Sequence, residues 1–252
     1  LIQNSLKMQT KSHNDYFDFG KIENEKFWRR LGGKPGFKDK SVLDFGCGHG
    51  ALCVDIAQDK VKSITGIDLE DELLNFANDN LKENYQNFVD IIQFEKKDIL
   101  KDDIQQKYDF IVSKDTFEHT LNLPKVLDKM YDLLNLGGKA YIGFGPLYNF
   151  YNGDHGRTEM YLPWFHLLFS EKFIVDRYNK NHLKKINHIQ DLGLSKYSLK
   201  NYEDFLKNSK FKVTYYKTNQ SDHPISKIFD FLSNINFLKE YCTYNIYCIL
   251  EK

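Results

Sequence analysis

Cysteine is scarce in this chain, with four thiols in 252 residues. Cys47 and Cys53 form one pair and Cys242 and Cys248 another, and their spacing matches no zinc pattern. They are expected to be reduced thiols of a cytoplasmic protein. An excess of either charge is also missing. Lysine plus arginine and aspartate plus glutamate each number 35. That balance argues against a nucleic-acid partner, because such proteins usually carry a basic excess or patch. No apolar run approaches the roughly 18 residues of a membrane span. The chain starts at Leu1 and shows no basic stretch followed by an apolar one, so no secretory signal is expected. Internal repeats and low-complexity linkers are absent. No compact cluster of acids demands a metal, and none is expected.

Apolar residues make up 41% of the chain, enough for the core of one α/β domain with an insertion. Tyr (16) and Phe (20) are abundant. The organising stretch is Val42-Leu43-Asp44-Phe45-Gly46-Cys47-Gly48-His49-Gly50. Val42 and Leu43 read as the end of a buried strand, and Ala51 to Ala57 as a helix. A glycine-rich turn between them lets backbone approach a ligand and is expected to aim free N–H groups at it. Gly46, Gly48 and Ala51 fit the dinucleotide fingerprint G-x-G-x-x-A. Asp44, two residues earlier, would repel a pyrophosphate and suits a ligand with positive charge.

The pattern D-x-G-x-G-x-G from Asp44 to Gly50 resembles motif I of the class I S-adenosylmethionine (SAM) dependent methyltransferases. Val61 to Asp68 reads as a second strand ending in an acid. The resemblance implies that Asp68, with Leu69 beside it, holds the ribose hydroxyls. It further implies that Asp98 accepts from the adenine amino group while Ile99 packs on the ring. Gly46, Cys47, Gly48, Gly50 and Lys114 complete the implied cofactor site. Strand 4, Tyr108 to Ser113, is followed by Lys114-Asp115-Thr116-Phe117-Glu118-His119. This resembles the post-strand-4 motif of small-molecule methyltransferases, with an E-H pair at the wall where donor and acceptor meet.

Further strands are expected over 41–45, 90–94, 139–144, 211–217 and 244–250, and helices over 22–31, 71–81, 123–134, 198–207 and 225–237. Gly137-Gly138 is expected to end the helix over 123–134. The fold class expected is α/β, a seven-stranded mostly parallel sheet with helices on both faces and the last strand antiparallel. Residues 1–39 would form an N-terminal helical cap and 40–252 the methyltransferase domain. The stretch 145–195 is too long for a plain connection and is expected to be a helical lid holding the acceptor.

Methyl transfer from a sulfonium is an in-line displacement, and a hydroxyl acceptor gains from a positioned base. His155 is the first candidate for that base, His119 the second and His166 the third. Tyr148, Tyr151, Arg157, Glu118 and Tyr16 are the candidate acceptor-binding residues. The lid is loosely similar to that of bacterial methyltransferases acting on nucleotide-activated sugars, heptoses included. The expected acceptor is therefore a small molecule, a nucleotide sugar for capsule or lipopolysaccharide. The alternatives are an N-methyltransferase for a small amine, an NAD-dependent oxidoreductase and a non-catalytic SAM-binding subunit. Oligomeric state is not legible in the sequence.

Overall fold

The computed structural model describes residues 12–159 and 162–252. Part of the expected cap (1–39) and two positions of the expected lid lie outside them. Element α1 spans His13–Arg30, starting earlier than the apolar pattern suggested. Ser12 explains the early start: it accepts from the Asp15 N–H while the Asp15 carboxylate accepts from the Ser12 N–H. Gly32 and Gly33, both at positive φ, end the segment.

Strands β1 (Ser41–Phe45), β2 (Ser63–Asp68), β3 (Ile92–Lys96), β4 (Tyr108–Lys114), β5 (Leu134–Phe144), β6 (Lys212–Thr218) and β7 (Ile246–Glu251) form one sheet. Its order is β3-β2-β1-β4-β5-β7-β6. Pairing is parallel from β3 through β5, and β7 runs antiparallel to both β5 and β6. This is the class I methyltransferase fold. The helices are α2 (Ala51–Ala57), α3 (Asp71–Asn84), α4 (Leu123–Leu133), α5 (Phe165–Leu168), α6 (Glu171–Asn181), α7 (Leu199–Asn208), α8 (Ser226–Leu232) and α9 (Asn236–Cys242).

Successive residues of a strand face opposite ways. Val42 belongs to the core cluster that holds Trp28 of α1 and Leu52 and Ile56 of α2, whereas Leu43 belongs to the one that holds Met130 of α4 and Tyr202 of α7. Both faces of the sheet are thus covered, as parallel strands require. The segment between β5 and α7 carries α5, α6 and a third cluster around Ile174, Ile186 and Ile189.

Two expected elements differ. The helix expected over 225–237 is two helices, broken between Leu232 and Asn236. Ser233 Oγ and Asn234 Nδ2 donate to the Asp230 carbonyl at the break, competing with the helical ladder. Gly137-Gly138 does not end α4, which stops at Leu133. These glycines lie inside β5, where the register with β4 jumps from Tyr108↔Leu134 to Phe110↔Lys139. Gly137 at φ 75° absorbs that irregularity.

The chain leaves β1 for β2 and β3 on one side, then returns to β4 and β5 on the other. The switch point lies between β1 and β4, and such sheets bind ligands at the carboxyl ends there.

Candidate active site

The turn after β1 is shaped by its glycines. Gly46, Gly48 and Gly50 all have positive φ, at 79°, 50° and 79°. A side chain on Gly46 would meet Thr116 Oγ1 at 2.2 Å, and one on Gly50 would meet the Phe94 ring at 2.5 Å. At Gly48 an added Cβ meets nothing within 4 Å. Two glycines are therefore spaces filled by protein, and the middle one faces open space.

The expectation of free N–H groups in this turn needs correction. Gly46 and Cys47 both donate to the Ile67 carbonyl, and Gly50 donates to that of Cys47. Gly48 donates to Asp68 Oδ2 at 2.8 Å. These bonds lock the end of β1 to the end of β2. Asp68 Oδ1 also accepts from Leu69 and Glu70. A carboxylate has about four acceptor sites, so this geometry leaves about one on Oδ2 for a ribose hydroxyl.

Asp44 lies beneath the turn, 1% exposed, and accepts from Cys53 Sγ at 3.2 Å. Burial pushes its carboxyl up to about 7, against the Cys53 bond and the Lys114 charge. Asp98 is held below its usual range by Lys101 and the Leu100 N–H. Ile99 is 2% exposed and belongs to the core with Ile67 and Phe117. The exposed apolar side chains of this rim are Leu69 and Leu100, and Leu100 escaped the sequence reading.

Helix α1 covers the turn. His13 Nδ1 lies 2.9 Å from His49 Nε2, and the Tyr16 ring sits 4.8 Å from that of His49. Lys114 is tied to helix α1: its ammonium donates to Asn24 Oδ1 at 2.7 Å. Burial lowers the pKa of this lysine.

On the acceptor side the chain brings together Glu118, His119 and His155, with one ligating atom of each within 4.8 Å of the others. His119 Nδ1 lies 2.7 Å from the Gly193 carbonyl, and His155 Nε2 lies 3.1 Å from that of Pro146. A carbonyl only accepts, so each of these nitrogens carries the proton. The lone pairs therefore sit on His119 Nε2 and His155 Nδ1. Burial pushes His119 down to about 4 and His155 to about 3, so both rings are neutral at pH 7. Arg157 donates to the Leu192 and Gly193 carbonyls, and its Nη2 lies 3.5 Å from His119 Nε2. Glu118 is 4% exposed, and burial raises its pKa well above the usual carboxylate range.

His166 and Tyr148 belong elsewhere. His166 Nε2 donates to the Tyr148 carbonyl at 2.6 Å, and both side chains are buried in the insertion. Tyr151 does face a cavity, of about 420 Å³, between α1, the ends of β4 and β5, and the loop before α8. Lys114, Asp115, Phe150, Phe229 and Tyr244 also line it. So do Arg30 and Asn152. Arg30 Nε and Asn152 Oδ1 are buried with no partner among the described residues. Sequence reasoning gave no role to Arg30, Asp115 or Asn152: Asp115 stands inside the post-strand-4 stretch without one, and no motif marks the other two.

Residues 37–144 match the family model of a methyltransferase domain. That domain ends where β5 ends, so the Glu118–His119 pair lies within it and His155 beyond it. The chain is 30% identical over 132 residues to a protein provisionally named methyltransferase 235L from Invertebrate iridescent virus 6, covering 52% of this chain and 46% of that one. It is 30% identical over 129 residues to phosphoethanolamine N-methyltransferase 2 of Caenorhabditis elegans, covering 49% and 27%. The chain thus spans less than half the length of these relatives. Among solved structures, magnesium protoporphyrin IX methyltransferase from Synechocystis with bound SAM superposes with a TM-score of 0.53 at 12% identity, over 92% of this chain and 79% of that one. The methyltransferase domain, its fold and the SAM-bound structure support SAM as the cofactor. The open space at Gly48 beside Asp68 fits it. No helix among the described residues is long and apolar enough to cross a membrane.

Proposed function

We propose that this chain transfers a methyl group from SAM to a hydroxyl oxygen of a small polar molecule, with a nucleotide-activated sugar as the leading acceptor. The observation that carries the choice of acceptor is the lining of the cavity, where the polar side chains of Arg30 and Asn152 stand among aromatic rings. A guanidinium and an amide suit a ligand rich in hydroxyls. The aromatic rings of Phe150, Tyr151, Phe229 and Tyr244 offer faces for a sugar ring and exclude water. The cavity volume lies within the range of small-molecule sites.

When bound, SAM supplies an electrophilic methyl whose bond to sulfur breaks as the bond to the acceptor oxygen forms, the electron pair staying on sulfur. The protein's part is alignment and removal of the hydroxyl proton. Asp68 and the open floor at Gly48 position the donor. The Glu118–His119–His155 cluster adjoins the cavity through the Gly145 N–H, which donates to Glu118 Oε1, and the Pro146 carbonyl, which accepts from His155. His155 Nδ1 carries the lone pair left for a proton, since Nε2 donates to the Pro146 carbonyl. Its low basicity makes it a weak proton acceptor on its own.

A second reading, transfer to an amine nitrogen, is favoured by the Asp115 carboxylate in the cavity wall and by the likeness to phosphoethanolamine N-methyltransferase 2. A panel of nucleotide sugars, free sugars and small amines distinguishes the two. The purified chain is incubated with SAM, and S-adenosylhomocysteine and the acceptor's mass are followed. Gain of one methylene mass on a hydroxyl compound is the expected result. Gain only on amines would replace the leading reading with the second.

A further inference from the structure

We infer that Glu118, His119 and His155 form a binding site for a divalent transition-metal cation at the acceptor side of the methyltransferase domain. Three features of the cluster point there. The first is the donor set, two imidazoles and a carboxylate whose ligating atoms lie within 4.8 Å of one another. Such a set suits zinc, iron or manganese and leaves coordination positions open.

The second is the direction of the lone pairs. The Gly193 and Pro146 carbonyls fix the protons on His119 Nδ1 and His155 Nε2. Metal-binding histidines commonly donate their other ring N–H to a carbonyl or carboxylate, which orients the ring and raises its basicity. Both histidines already have that arrangement.

The third is Glu118. Its side chain is 4% exposed, Oε1 accepts from the Gly145 N–H, and Oε2 has no partner among the described residues. A buried carboxylate oxygen left unpaired is costly, and a cation would satisfy it.

Two features oppose binding, and neither prevents it. Ligands about 2.1 Å from one ion stand roughly 3.4 Å apart in a tetrahedron. The three side chains must therefore close by up to about 1.4 Å, a shift on the scale of side-chain adjustment. Arg157 brings a positive charge, but its contact with His119 Nε2 is 3.5 Å, the limit of a hydrogen bond. Its stronger bonds go to the Leu192 and Gly193 carbonyls, so this one can yield.

The role of the ion follows from the proposed hydroxyl acceptor and rests on that reading. A cation holding the acceptor oxygen would lower the pKa of its hydroxyl. It would thereby do what two weakly basic imidazoles cannot. Binding itself does not depend on that reading.

The test is titration of the whole chain with Co²⁺, followed by visible absorption, with SAM affinity measured on the same samples. The wild-type protein is expected to develop a saturable band at one ion per chain. Glu118→Gln and His155→Ala should each weaken Co²⁺ binding at least about tenfold, the scale of losses at metal sites, with SAM affinity retained. His13→Ala, which alters the other histidine pair, should keep the band. No band in the wild-type protein overturns the site. So does a band that survives in both cluster variants while they still bind SAM. Metal binding with no methyl transfer to any hydroxyl compound would leave the site standing and remove the O-transfer reading.

Discussion

Gly46 and Gly48 stand two residues apart in one turn and should respond differently to the same substitution. At Gly46 an alanine Cβ would fall 2.2 Å from Thr116 Oγ1, at a φ of 79°. Overpacking costs about 1–3 kcal/mol and the left-handed conformation about 1–2 more. Gly46→Ala should therefore cost about 2–5 kcal/mol of stability, read as a lower denaturant midpoint, and Thr116→Ala in the same chain should recover part of it. At Gly48 there is no neighbour to strike, so only the backbone term of about 1–2 kcal/mol applies. Gly48→Ala should fold and lose SAM affinity, because its methyl enters the space the cofactor needs. Equilibrium unfolding and SAM titration of both variants check this. Unchanged SAM binding in Gly48→Ala would place the cofactor elsewhere. A three-glycine motif does not say which glycine serves packing and which serves the ligand. That depends on Thr116 and Phe94, which other strands deliver.

Elements were legible where one periodicity ruled. The runs at β1, β2 and β4 are buried on both faces, and α4 has a clean apolar stripe of Val126, Leu127 and Met130. They were misread where local side-chain bonds or a register jump intervened, at Ser233-Asn234 and at Gly137. Helix α1 is the instructive case, since one buried polar side chain ties its cover over the site to two other elements. Asn24 is 1% exposed, donates to the Ala51 carbonyl at 3.0 Å and accepts from the Lys114 ammonium at 2.7 Å. It joins the cap to α2 and to the end of β4. Asn24→Leu keeps the size and removes both bonds, leaving Lys114 with only the longer contact to the Gly20 carbonyl. A buried donor without a good partner costs about 1–3 kcal/mol, more when charged. The variant should unfold at lower denaturant by at least that amount and bind SAM more weakly. Wild-type stability would show that the other contacts of α1, such as the bond from Trp28 Nε1 to Asp55 and the packing of Phe27, hold it without Asn24.

At the scale of the molecule, motifs separated in sequence meet because the strand order reverses between β1 and β4. Asp44, Asp68 and Glu118 end strands or follow them, so the sequence could place them on one edge of the sheet. His155 and Asn152 come from beyond β5 and Arg30 from α1, and no spacing announces that they meet near Gly145-Pro146. The cofactor half of the site is thus read from strand ends, while the acceptor half depends on how the segment after β5 folds back. That asymmetry predicts how the protein responds to its two ligands. SAM would contact the turn that locks β1 to β2, which belongs to the central sheet and to both large cores. Its binding energy should therefore appear in global unfolding. At about a hundred times the dissociation constant it should add about 2.7 kcal/mol, or roughly 5–10 °C in Tm for a chain of this size. NAD at the same concentration should shift nothing, because the N–H groups of Gly46, Cys47 and Gly48 are already bonded within the protein and are not available to a pyrophosphate. Thermal unfolding with each ligand measures this directly. Stabilisation by NAD and none by SAM would return the glycine turn to the dinucleotide reading that Gly46, Gly48 and Ala51 also fit.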